Sequence, residues 1–191
     1  MAQFQTDTKN SLIRWHYISY VIGALAIMVV AIVDDSIWFL NFVHVFCGLL
    51  WTGIDLFMGF ILGPIMKALD LTVRREITSR LTPRTLFLMP TISIITGTTG
   101  WFLAMRLGLT QLNWPDFGWV AAALTLVTLM AIVGLGILTP TNVLVCIELQ
   151  KEPPDLEKIS RWMRRYFFLT AAQGTMQVLT ILIMARFRTG I

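Results

Sequence analysis

Residues 117–147 run for 31 positions without one charged side chain. A membrane-crossing helix needs about 20 apolar residues at 1.5 Å each, so this stretch is long enough to cross a bilayer with length to spare. Four more stretches meet the same requirement. Residues 15–33 (19) and 85–105 (21) carry no charge, residues 36–66 carry only Asp55, and residues 166–185 (20) again carry none. Backbone polar groups inside lipid must be satisfied within the segment, and strand-like alternation is absent, so the stretches are helices. The pattern predicts an all-α integral membrane bundle of five transmembrane helices, at about 14–33, 37–66, 84–107, 117–147 and 163–186, forming one transmembrane domain over residues 1–191.

The composition excludes other classes. At 191 residues the chain is 56% apolar and 14% charged, against about 45–50% and about 25% in soluble domains. That excludes a disordered chain, a nucleic-acid-binding domain and an ordinary cytosolic enzyme. The net charge of +4 reflects where the cations sit. Lys9 and Arg14, then Lys67, Arg74, Arg75, Arg80 and Arg84, then Lys151, Lys158, Arg161, Arg164 and Arg165 share one side of the bundle, 12 of the 15 cationic residues. Arg106, Arg186 and Arg188 fall on the other side with Asp34 and Asp35. The positive-inside rule then predicts a cytoplasmic N-terminus, as in a multi-pass protein of a bacterial inner membrane. The N-terminal apolar run is too long for a signal h-region, so no cleaved leader is expected. Cys47 and Cys146 lie in apolar runs and imply no disulfide or zinc spacing.

Local signals refine this picture. The mixed segment Leu69–Leu81 predicts a helix lying along the membrane surface, and Thr82-Pro83 predicts an N-cap and first turn for the third span. Pro90 and Pro140 each free a carbonyl one turn earlier. Asn142 and Glu148 are expected to bond such carbonyls and the Arg161–Arg165 cluster.

Several residues could carry chemistry. His44 lies 7 residues into the second span from Ile37, roughly 10 Å deep at 1.5 Å per residue. An imidazole in lipid needs partners for its ring nitrogens, and haem iron is one that suits it. His44, Gly48, Trp51, Asp55, Met58 and Leu62 fall on one helical stripe, with Gly48 leaving room for a flat macrocycle. Ser93, Gly97, Gly100 and Ala104 form a second smooth strip on the third span, although such strips also simply let helices approach. Met28, Met184 or Met176 are the candidate second ligands, while His16 lies near the opposite membrane face. Arg106 could pair a propionate or snorkel to the interface. Asp55 is the intramembrane charge and so a functional candidate by default. It is expected to meet Thr96, Thr98 and Gln173 in a mid-membrane polar cluster, as a proton relay or as a buried acid fixing register.

The run His44-Val-Phe-Cys-Gly-Leu-Leu-Trp51-Thr-Gly53, continued by LFMGFILGPIMKAL, resembles the signature span of the CopD-like and HemJ-like membrane proteins. The segment PRTLFLMPTISIITGTTGWFLAMRLG is similar to the next helix of that group, so the resemblance covers roughly residues 42–108. It implies a helical bundle that, in HemJ-like members, binds haem b through a histidine and acts in protoporphyrinogen oxidation. His44 would inherit the ligand role. CopD-like members handle copper, which Met-rich spans and Cys47 could serve. Residues 117–147 lack the basic residue of HemJ-like proteins, and their Asn-Glu-Val-Pro motif is missing. The leading expectation is therefore a haem-b protein moving electrons within the membrane, exchanging them with a quinone or a partner complex, with homo-oligomers possible. The rivals are a haem-linked oxidoreductase such as a protoporphyrinogen oxidase, a copper-handling protein, and a cofactor-free accessory subunit of a larger membrane complex.

Overall fold

The computed structural model describes residues 16–189. Their secondary structure is entirely helical, in five rods. α1 spans His16–Val33, α2 Ile37–Ala68, α3 Leu71–Arg106, α4 Phe117–Leu149 and α5 Leu156–Thr189. α2 carries a π-helical turn at Phe57–Leu62 and α4 another at Gly134–Leu138. Connections of two to ten residues join successive rods in an up-and-down order.

Four of the rods, α2 to α5, are long and apolar enough to cross a membrane. α1 contributes a shorter apolar helix, Tyr17–Val33, and the start of the expected 14–33 span lies outside the described residues, as does the His16 side chain. The outer faces of the rods are greasy: Ile22, Val30, Phe42, Phe46, Leu49, Phe60, Ile132 and Leu182 are all exposed. A surface of that kind is built for a lipid bilayer.

Local cap chemistry gave way to packing in α3. This helix begins at Leu71, with Asp70 as N-cap, so Thr82 and Pro83 are buried interior residues and not a helix start. The segment expected to lie on the membrane surface instead extends α3 axially. Its half-buried Ile77 and Leu81 pack against the apolar cluster to which Leu149 of α4 and Ile159 and Met163 of α5 belong. Arg74 anchors the extension. Its guanidinium donates to the carbonyls of Lys67 (2.7 Å) and Leu69 (2.7 Å) at the end of α2, and to Ser160 Oγ on α5 (2.9 Å). At 36 and 34 residues, α3 and α5 are about 54 and 51 Å long, well beyond the ~30 Å hydrocarbon core.

At the far end, Gly108 takes the left-handed conformation (φ 70°) that closes α3. Trp38 and Trp114 stand exposed there, where amphipathic rings meet headgroups.

Three apolar clusters form the core. Near the basic end, Met58, Met66, Val145, Met163, Tyr166 and Phe167 pack together. Near the other end, Ala31, Leu40, Val43, Ile95 and Leu103 join α1, α2 and α3. Trp51, Ile92 and Met130 lie between.

Candidate functional site

Asp55 sits on the buried stripe of α2, with His44, Trp51 and Met58, and is 0% exposed. Close backbone approach accounts for its seclusion. A Cβ on Gly59 would lie 2.6 Å from Ala171 Cβ, one on Gly63 would lie 3.0 Å from Phe167 Cβ, and one on Gly174 would lie 3.2 Å from Leu56 N. These contacts lie just beyond Asp55 along α2 and press α2 against α5, the packing that small residues permit between membrane helices. The π-helical turn of α2 starts two residues after Asp55, and such turns recur at functional sites.

α5 meets this stripe with a polar face. Tyr166, Thr170, Gln173, Gln177 and Thr180 are all buried and recur every three or four residues, one side of a helix. Gln173 Nε2 donates to Asp55 Oδ2 at 3.2 Å and Gln177 Nε2 donates to the same oxygen at 3.1 Å. Trp51 adds a third side-chain contact to the carboxyl. Asp55 Oδ1, Gln173 Oε1 and Gln177 Oε1 are buried and receive no donor. Among the described residues no cation forms an ion pair with Asp55. The cluster thus has a surplus of acceptors and a shortage of donors.

Towards the basic end lies a cavity of about 20 Å³, lined by Trp51, Ser93, Asn142, Tyr166 and Gln173 among others, with Gly134 and Leu138 from the π-helical turn of α4. Asn142 Nδ2 donates to Thr85 Oγ1 (3.4 Å) and to Tyr166 Oη (3.5 Å), while Asn142 Oδ1 has no partner. The expectation that Asn142 serves a freed carbonyl is therefore corrected. The hydroxyls of Thr139 and Thr141, on either side of Pro140, bond back along their own helix to Gly134 O (2.9 Å) and Ile137 O (2.7 Å). Glu148 pairs with Lys151 (2.8 Å) and Lys158 (3.0 Å) and not with the Arg161–Arg165 cluster.

His44 occupies a different layer. Its Nδ1 donates to the Thr96 carbonyl at 3.0 Å, with Thr99 Oγ1 3.5 Å away. A Cβ on Gly100 would come within 2.6 Å of His44 Cε1, so Gly100 makes the space the ring fills. A Cβ on Gly48 would lie 3.4 Å from the Thr96 methyl, whereas nothing stands within 4 Å of one on Gly97. Two of the three glycines therefore serve the α2–α3 contact. Met28 packs against the apolar cluster of that layer, Met176 packs one layer lower beside Trp51, and Met184 is exposed on α5. Arg106 donates to the carbonyls of Asp34 (2.7 Å) and Ile32 (2.6 Å), closing the end of α1.

The structure brings Asp55 to Gln173, as depth counting predicts, but not to Thr96, whose hydroxyl bonds back to Ile92 O at 2.7 Å. Gln177, one turn beyond Gln173, is the partner that the depth count passes over. The spacing Gly59-x-x-x-Gly63 was the available signal for the α2–α5 approach. Among the described residues no group of three or more His, Cys, Asp or Glu side chains gathers to hold a metal ion. A wider apolar cleft of about 560 Å³ opens between α4 and α5 near the other end, where Arg186 lies 4.5 Å over the Trp119 ring. No family model matches the chain, and comparison with curated proteins and with solved structures returns no significant match.

Proposed function

We propose that this chain is a multi-pass membrane protein that takes up and releases a proton in the middle of the bilayer, and that the Asp55 carboxyl is the group that does so. One observation carries the reading. A wholly buried carboxyl receives two amide donors on one oxygen, has Trp51 as a third side-chain contact, and keeps its other oxygen without a hydrogen-bond partner. A permanently charged carboxylate in this setting needs a cation, because an unpaired charge in lipid is expensive. A carboxyl that cycles through its neutral form does not. The distribution of Lys and Arg supports placing the basic end in the cytoplasm. The test is proton flux into liposomes loaded with a pH-sensitive dye, after an imposed gradient. Wild-type vesicles should acidify faster than protein-free ones, and Asp55→Asn should abolish the difference. Equal rates for wild type and Asp55→Asn would overturn the reading.

A second reading, b-type haem ligation by His44, has its own support. The Nδ1–H bond to Thr96 O fixes the tautomer and leaves the Nε2 lone pair for a metal, the arrangement that ligating histidines adopt. The donor therefore fits the group at the ligand atom, and the CopD-like and HemJ-like resemblance of residues 42–108 points the same way. Bound there, haem would supply one-electron transfer, with a quinone or a partner membrane complex as the redox partner. Met28 would be the nearest methionine by layer. Purified protein should then show a Soret band that shifts on reduction and is lost in His44→Ala. Colourless, iron-free protein would exclude this reading without touching the first.

A further inference from the structure

The polar groups between Asp55 and the basic end form a series with one gap, and the gap has room for water. Thr82, Thr85, Asn142, Tyr166 and Gln173 are all buried. Thr85 Oγ1 donates to Thr82 O at 3.1 Å, and Asn142 links Thr85 to Tyr166. Gln173 lines the cavity on one side and donates to Asp55 on the other. The cavity, at about 20 Å³, exceeds the ~10–15 Å³ that one water requires. Two residues lining it, Asn142 and Gln173, each carry a buried oxygen without a donor. A water molecule has two O–H donors to give. The series ends at Thr82, two residues before the exposed Arg84.

We infer that a single bound water in this cavity, with the Tyr166 hydroxyl and the Gln173 amide, forms the route by which protons reach Asp55 from the basic end. The inference rests on the proton-binding reading of Asp55 and adds a direction and a gate to it. A proton from solvent hydronium arrives at the Tyr166 oxygen as the phenolic proton passes to the water. The water hands one proton to Asp55 Oδ1 and is left neutral. A carboxylate becomes a carboxylic acid, and no electron moves. An amide does not relay protons readily, so Asn142 and Gln173 together form the gate: Asn142 stands between Thr85 and Tyr166, Gln173 stands between the water and the carboxyl while its Nε2 is bonded to Oδ2, and the rotation of each amide lets its neighbours meet. On the other side of Asp55 the α5 stripe continues only to Gln177 and Thr180, and the Thr180 hydroxyl is spent on Met176 O (2.9 Å). The cavity lined by Asn142, Tyr166 and Gln173 lies on the basic side.

The experiment is infrared spectroscopy of the reconstituted full chain during exchange from H2O to D2O. The carbonyl band of protonated Asp55 is identified by its loss in Asp55→Asn, and its shift on deuteration times the arrival of solvent protons. Tyr166→Phe, which keeps the ring, and Asn142→Leu, which fills the cavity, should each slow that shift by at least about tenfold, a barrier rise of about 1.4 kcal/mol. Gly53→Ala, at a position with open space around it, should exchange at the wild-type rate. Wild-type exchange rates in both Tyr166→Phe and Asn142→Leu would overturn the route while leaving Asp55 as the proton-binding group. A wild-type spectrum with no band lost in Asp55→Asn would overturn that reading itself, and the route with it.

Discussion

Gly59 of α2 lies against the backbone of Ala171 on α5, so that a Cβ built on the glycine would lie 2.6 Å from Ala171 Cβ and 2.5 Å from Ala171 N. Backbone cannot move aside as a flexible side chain can. Gly59→Ala should therefore push α2 and α5 apart, costing about 1–3 kcal/mol, the usual penalty for overpacking. Gly53→Ala, six residues earlier in open space, should be neutral or stabilise by up to about 1 kcal/mol through helix propensity. Thermal unfolding in detergent compares the two, and equal effects would show that the approach is not tight.

The ring of His44 and the missing side chain of Gly100 are one packing unit. His44→Ala opens a void and strands no charge, and Gly100→Ala alone collides with the ring. Combined, the new methyl enters space the ring has left. The double variant should be more stable than the sum of the two losses predicts, with a coupling of about 0.5–3 kcal/mol. Additive losses in a double-mutant cycle would separate the two residues.

Asp55 should tolerate one replacement and not another. Asparagine keeps an acceptor for Gln173 and Gln177 and adds an N–H2 for their orphaned oxygens, so Asp55→Asn should stay within about 1 kcal/mol of wild type. Leucine leaves both amides without an acceptor, at about 1–3 kcal/mol each. Denaturation in mixed detergent would rank the pair. Asparagine proving the worse of the two would refute the hydrogen-bond arrangement.

Arg74 ties three rods together through Lys67 O, Leu69 O and Ser160 Oγ. Arg74→Ala should cost about 1.5–3 kcal/mol, the scale of a charge-assisted hydrogen bond. Arg74→Lys should recover little, because an ammonium cannot reproduce the guanidinium fork. Proteolysis of the α2–α3 junction would report the loosening, and full rescue by lysine would argue for charge alone.

Much of this was legible in the chain. Charge-free stretches set the rods, and depth counting from span ends put Asp55 opposite Gln173, because a helix advances by a fixed rise per residue. The beginning of α3 was not legible. Thr82-Pro83 has the chemistry of a helix start, yet Arg74 and the packing of Ile77 and Leu81 on the cluster shared with α4 and α5 hold the eleven residues 71–81 in the same helix, a tertiary effect no local motif records. The role of Gly48 and Gly100 was equally hidden. A small residue signals that something comes close, but not whether it is a cofactor, a methyl of Thr96 or the ring of His44. Gln177 escaped because depth counting selects a level, whereas its amide reaches down a full turn to share Asp55 Oδ2.

The bundle is polar along the inner face of α5 and greasy on its outside. Parting its helices within lipid would transfer almost no oily surface into water, and that transfer is the source of the large heat-capacity increment of soluble-protein unfolding. Calorimetry in a bilayer should therefore trace a nearly straight dependence of stability on temperature where a soluble domain of this size traces an arch. Cooling should not weaken this protein in the way that it weakens a water-driven core.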